Sequence, residues 1–103
     1  MTKYRAIPTE VDGIRFDSKK EARHYQELKI RKRAHVISQL ELQPRFKLHV
    51  RGQLICTYIA DFAYFDVKSQ QTVVEDVKGV LTPVYKLKKK LMRAVHGIEI
   101  QEV

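Results

Sequence analysis

Two segments constrain the fold of this chain more than any other feature. Residues 54–65 and 72–78 are rich in β-branched and aromatic side chains, and the polar residues 68–71 separate them. This pattern predicts two paired central strands joined by a turn. At 103 residues the chain has room for one modest core, so we expect residues 1–103 to form a single domain.

The N-terminal third predicts a hairpin followed by a helix. Asp12-Gly13 lies between two short strand-like stretches and is typical of a two-residue hairpin turn. Ser18 followed three residues later by Glu21 is a capping box, which predicts a helix that runs to about Ala34. The buried face of this helix is expected to contain Ala22, Tyr25 and Leu28.

The remaining segments complete an α/β (α+β) arrangement, with a mixed central sheet flanked by helices. Residues 36–50 have an extended pattern that Pro44 confines to an edge or a break. Thr82 and Pro83 are typical of a helix start, and residues 98–103 alternate as a last strand does. The apolar stripe of the second helix is expected to contain Val84, Leu87, Leu91 and Ala94.

The charge of the chain favours a polyanionic partner. Twenty Lys and Arg residues against 12 Asp and Glu give a net charge of +8, which makes nucleic acid the leading candidate. No apolar run approaches the ~20 residues of a membrane span, so we expect no membrane partner. One cysteine and the absence of a signal-like N-terminal stretch predict a cytoplasmic location, in a host cell if the chain is encoded by a phage.

Two aspartates stand on predicted strands, where this residue type is depleted. If the central strands form a hairpin, Asp61 comes alongside Asp76, and the two carboxylates repel each other unless a cation such as Mg²⁺ lies between them. Strand alternation puts Lys78 on the face of Asp76 and Glu75 on the opposite face. A bulge after Asp76 would exchange Glu75 and Asp76, and that alternative stays open.

These residues resemble a known signature. Asp61, then 14 residues, then Asp76-Val77-Lys78 is similar to the motif of the PD-(D/E)XK nuclease superfamily, in which a restriction-endonuclease-like core is expected. Segments 16–22, 60–62 and 74–79 together resemble a family of small uncharacterised phage proteins (DUF1064-like) close to the Holliday-junction resolvases. The chain departs from the commonest motif in having Ala60 where proline is usual and Asp76 where glutamate is usual.

The resemblance implies a metal-dependent DNA endonuclease, with branched recombination intermediates of a phage as one candidate substrate. Asp61, Asp76 and the backbone carbonyl of Val77 would bind Mg²⁺, for which Mn²⁺ can substitute, and Lys78 would be the catalytic lysine. Glu21 matches the first-helix glutamate of related nucleases and is the third expected ligand, although the capping box also explains it. Because one site serves one strand, we expect a homodimer.

Basic residues beside these positions are candidate DNA contacts. Lys19, Lys20 and Arg23 lie close to Glu21 in sequence, and the second helix contains a further group: Lys86, Lys89, Lys90 and Arg93. A solvated charged face is the alternative for both groups. A third cluster, residues 29–33, ends the first helix, where positive charge also complements the helix dipole. His24 follows Glu21 by three residues and could reach the same cleft.

Three other interpretations remain open. The chain could be a non-catalytic DNA-binding module that keeps the nuclease fold, or a phage regulator that binds RNA or protein. In the least specific reading, Asp76 and Lys78 form a surface ion pair and Asp61 stands near a strand end.

Overall fold

The computed structural model describes residues 7–77 and 81–103, which form an α+β fold. In chain order the elements are β1 (Thr9–Val11), β2 (Ile14–Phe16), α1 (Lys19–Arg33), β3 (Ile37–Leu42), β4 (Arg45–Val50), β5 (Gln53–Ile59), β6 (Phe62–Asp66), β7 (Gln71–Asp76), α2 (Pro83–His96) and β8 (Gln101–Glu102). Among these residues no helix is long and apolar enough to cross a membrane.

The predicted N-terminal hairpin and first helix are confirmed. Strands β1 and β2 are antiparallel, and Asp12 and Gly13 take φ values of 55° and 75°, as a tight turn between twisted strands requires. Ser18 is the N-cap of α1, because its Oγ accepts a hydrogen bond of 3.1 Å from the backbone N–H of Glu21. The buried face of α1 contains Ala22, Tyr25 and Leu28, with Glu21 buried beside them.

A four-stranded mixed sheet with the order β3-β6-β7-β8 forms the centre of the fold. The pairing of β6 with β7 is antiparallel and continuous, as the hairpin around residues 68–71 predicts, and β8 joins β7 in parallel. Strand β8 is shorter than the predicted 98–103. Helix α1 packs on one face, where Leu28 and Phe62 belong to the same core cluster, and α2 packs on the other, where Met92 and Val74 belong to a second cluster.

The predicted strand at residues 54–65 is in fact two strands in two sheets. Strand β5 pairs with β4 in a separate hairpin, whereas β6 belongs to the central sheet. Backbone hydrogen bonds from Ala60 to Pro44 (3.1 Å) and from Gln43 to Asp61 (3.0 Å) hold the chain at this junction. The composition of the segment is uniformly suited to strands, so its sequence contains no signal for the break.

The predicted apolar stripe of α2 is wrong in its orientation. Val84 and Leu87 are 61% and 58% exposed, whereas Tyr85 and Met92 are buried. The helix is rotated so that the large Tyr85 ring faces the core, and Lys88 lies at the border, where its Nζ donates to the carbonyl of Thr57 (3.3 Å). The long apolar stem of a lysine can cover core surface in this way.

We expect Leu28→Ala to lower the free energy of unfolding by about 2–5 kcal/mol, because it leaves a cavity at a fully buried position. Ile30→Ala in the same helix is the matched control, since Ile30 is 64% exposed and its loss should change stability by no more than about 0.5 kcal/mol. Urea denaturation of both variants measures the difference. Equal losses would contradict the packing of α1 described above.

Candidate acidic site at the ends of the central strands

Asp61 and Asp76 are linked by two reciprocal hydrogen bonds. Phe62 pairs with Glu75, and extending that register by one residue places Asp61 opposite Asp76. Asp76 Oδ1 accepts from the backbone N–H of Asp61 at 2.9 Å, and Asp61 Oδ2 accepts from the backbone N–H of Val77 at 2.7 Å. Each carboxylate is therefore anchored to the strand that holds the other one.

The two carboxylates differ in their exposure. Asp76 is 1% exposed, whereas Asp61 is partly exposed at the bend that precedes β6. A ligand would therefore reach the pair from the side of Asp61. Val77 is buried directly after β7, and Lys78, the expected catalytic lysine, lies outside the described residues.

A third carboxylate, Glu102, stands in the neighbouring strand. It pairs with Asp76 across the parallel β7–β8 ladder, and its Oε2 accepts from Tyr85 Oη (2.7 Å) and lies 3.2 Å from Lys89 Nζ. Burial and the hydrogen bond to Glu102 raise the pKa of Tyr85, and the negative charges of Glu102, Asp76 and Asp61 add to that shift. Sequence reasoning missed Glu102, because this residue lies beside Asp76 only through the parallel pairing of β8 with β7.

Glu75 faces the opposite side of the sheet, toward α1. Its Oε2 accepts from Tyr64 Oη at 2.7 Å, and its Oε1 lies 2.7 Å from His24 Nε2. Glu75 is only 4% exposed. Alternation along β7 thus separates the two neighbouring acidic residues, with Glu75 against α1 and Asp76 in the row with Asp61 and Glu102.

The pKa of Glu75 reflects these contacts. Burial alone would raise it, but the interactions with His24 and Tyr64 outweigh burial, so the pKa lies below its ordinary value of 4.5. The same hydrogen bond adds to burial in raising the pKa of Tyr64. A carboxylate that is ionised, buried and doubly hydrogen-bonded is a structural element of the α1 face.

The donor atoms at the acidic pair are suited to Mg²⁺, which prefers carboxylate and carbonyl oxygens and keeps several waters. Ligation by one oxygen from each carboxylate is compatible with the two hydrogen bonds from the backbone. Within residues 7–77 and 81–103, however, no three His, Cys, Asp or Glu side chains are grouped as a metal site. Glu21, the expected third ligand, is 2% exposed in the first turn of α1.

The predicted DNA contacts occupy different surroundings. Lys20 and Arg23 line a cleft of about 180 Å³ together with His24, Glu27, Val77 and Val103. Lys19, Lys86 and Lys90 are exposed. In contrast, Lys89 is paired with Glu102, and Arg93 Nε lies 3.6 Å from Glu99 on the surface.

The fold and the site define an α+β domain with a row of acidic side chains at the ends of its central strands. No curated protein and no solved structure matched the chain. The chain belongs to the family described as "Protein of unknown function (DUF1064)", whose family model matches residues 1–101. This confirms the resemblance to that family found in the sequence.

Glu75 should make stability depend on pH. The pKa of Glu75 is lower in the folded protein than the ordinary value of 4.5. Its contribution to the free energy of unfolding is therefore present above pH 4.5 and is lost as the pH falls through the folded pKa. We expect the free energy of unfolding to fall less between about pH 5 and pH 3 in Glu75→Gln than in the wild type. Urea denaturation across this range measures it, with Glu41→Gln, at an exposed position, as the control. Parallel profiles for Glu75→Gln and the wild type would refute the assignment.

Proposed function

We propose that the protein is a Mg²⁺-dependent endodeoxyribonuclease of the PD-(D/E)XK type. The observation that carries the proposal is the reciprocal pair of Asp61 and Asp76 at the adjoining ends of two central strands. Two carboxylates this close repel each other in the absence of positive charge. A site of this kind is suited to a divalent cation and to the phosphate that the cation would bind.

Each residue of the proposed site has a distinct task. Asp61 and Asp76 would hold the metal through one oxygen each, with the carbonyl of Val77 as a further ligand and Glu21 as the third candidate side chain. The metal, when bound, would polarise the phosphoryl oxygens and stabilise the charge that develops on them. Lys78 follows Asp76 by two residues and, by resemblance to the nuclease motif, would orient or deprotonate the attacking water.

The charge of the chain supports DNA as the substrate. The net charge is +8, and Lys20 and Arg23 line a cleft that also includes Val77, the residue after Asp76. Val77 faces the α1 side, so phosphates bound by these cations would lie at the end of β7, on the face of the sheet opposite to the Asp76 side chain. Cutting both strands of a duplex or of a branched junction would require two copies of the site, which a homodimer provides.

A second candidate function is DNA binding without catalysis. It is favoured by the hydrogen bonds of Asp61 and Asp76 to backbone N–H groups, since these give both carboxylates a structural role without a metal. The two functions predict different effects of Asp76→Asn, because a nuclease would lose cleavage whereas a non-catalytic module has no cleavage to lose.

We expect Asp76→Asn to abolish metal-dependent cleavage, because it removes a charged ligand at the proposed metal. Lys78→Ala should reduce cleavage by roughly 10²–10⁴-fold, the usual contribution of a proton-transfer group. The assay uses labelled four-way junction, flap, nicked and linear DNA with Mg²⁺ or Mn²⁺. Glu41→Gln on the exposed side of β3 is the control, and binding without cutting by every form would favour the non-catalytic alternative.

Metal binding can be measured without activity. At a Mg²⁺ concentration 100 times the dissociation constant, the wild type should gain about 2.7 kcal/mol of stability, because the ion binds only the folded chain. Asp76→Asn should gain far less. Thermal unfolding at constant ionic strength, with Mg²⁺ exchanged for a monovalent salt, separates specific binding from screening. An equal gain in both proteins would show that Asp76 does not bind the metal.

A further inference from the structure

A groove lies between the C-terminal half of α1 and strand β3, away from the cleft of Lys20 and Arg23. Its volume is about 430 Å³. The lining residues are Tyr25, Lys29, Lys32 and Arg33 from α1 and Leu40 and Leu42 from β3. The groove thus combines a cationic rim, contributed by the helix, with an apolar floor, contributed by the sheet edge.

Two of the rim cations have no acidic partner among the residues that the structure describes. Lys29 forms an ion pair with Asp12 in the N-terminal hairpin turn, and the neighbouring Arg31 bonds to Glu27 at 2.6 Å. Lys32 and Arg33 are exposed and have no ion pair within residues 7–77 and 81–103. Their charges complement the dipole at the end of α1, but that role does not require a groove beside them.

The floor of the groove is apolar and within reach of solvent. Leu40 and Leu42 are partly buried against the core of the α1 face, and each presents its remaining surface to the groove. Sites for single-stranded nucleic acid combine a positively charged track for the backbone with aromatic side chains on which the bases stack, and Tyr25 is the aromatic side chain that lines this groove. A duplex holds its bases inside the stack, so its bases could not use this floor.

The β3 wall of the groove ends next to the acidic pair. Leu42 pairs with Phe62, and the next residue, Gln43, donates its backbone N–H to the carbonyl of Asp61 at 3.0 Å. Gln43 takes a φ of 51° at this point. A strand that follows the groove along β3 would therefore arrive at the backbone of Asp61, where β6 begins.

We propose that this groove binds a single strand of DNA, with Lys32 and Arg33 on its phosphates and Leu40 and Leu42 against its bases. The direction toward Asp61 rests on the proposed nuclease function, whereas the binding itself does not. In a nuclease, the groove would select substrates with an unpaired strand next to the cleavage point. Flaps and branched junctions whose arms are open have such strands.

The test is the salt dependence of binding, measured by fluorescence anisotropy with a labelled single-stranded oligonucleotide and EDTA, so that no cleavage occurs. Each phosphate contact on a single strand contributes about 0.7 to the slope of log K against log salt concentration. The double variant Lys32→Ala/Arg33→Ala should therefore reduce the slope by about 1.4. Lys47→Ala/Lys68→Ala is the matched control, because it removes the same charge from exposed positions elsewhere and should leave the slope unchanged.

Three outcomes would overturn the inference. The slope could fall equally in both double variants, which would mean that only net charge matters. The slope could remain unchanged in the groove variant, or the groove variant could lose as much affinity for a blunt duplex as for the single strand. Cleavage is assayed separately with Asp76→Asn. A reduced slope in the groove variant together with no cleavage by the wild type would support single-strand binding in the groove and refute the proposed nuclease function.

Discussion

The reciprocal bonds between Asp61 and Asp76 are the constraint on which the rest of the structure depends. They occur where the chain leaves the β4–β5 hairpin and enters the central sheet, at a bend that the backbone of Gln43 also holds. Buried carboxylates are costly unless they are hydrogen-bonded, and here each one uses a backbone N–H of the neighbouring strand. The same two bonds thus fix the end of the β6–β7 ladder and bring two negative charges together.

Because side chains alternate along β7, the adjacent residues Glu75 and Asp76 have different surroundings. Glu75 is held by His24 and Tyr64 beneath α1, where its contacts are satisfied internally. Asp76 lies in the row of carboxylates across β6, β7 and β8, and part of that row is partly exposed. An ionised group enclosed by its partners stabilises the fold, whereas like charges in a row destabilise it unless cations offset them, as Lys89 does at Glu102.

The sequence predicts what depends on local pattern. Asp12-Gly13 and Ser18 defined the hairpin and the start of α1, and period-two alternation separated Glu75 from Asp76. What it did not predict depends on long-range geometry. The break at Ala60 and Asp61 is set by bonds to residues near Pro44, and Glu102 joins the row only through a parallel pairing. In α2, apolar spacing indicated Val84 and Leu87, but contacts of Tyr85 with the sheet determine the rotation of the helix.

The distribution of the positive charge indicates which surfaces of the protein would bind a polyanion. Lys89 and Arg93 are close to acidic residues, and Lys29 and Arg31 have partners of their own. A cation already paired with a carboxylate gains less from a phosphate, because the existing partner must first be released or repelled. Lys32 and Arg33, which have no ion pair within the described part of the chain, lie on one side of α1, and Lys20 and Arg23 line the cleft on the other. A nucleic acid bound by both groups would cross the first helix, and its path would pass the end of the sheet where Asp61 lies.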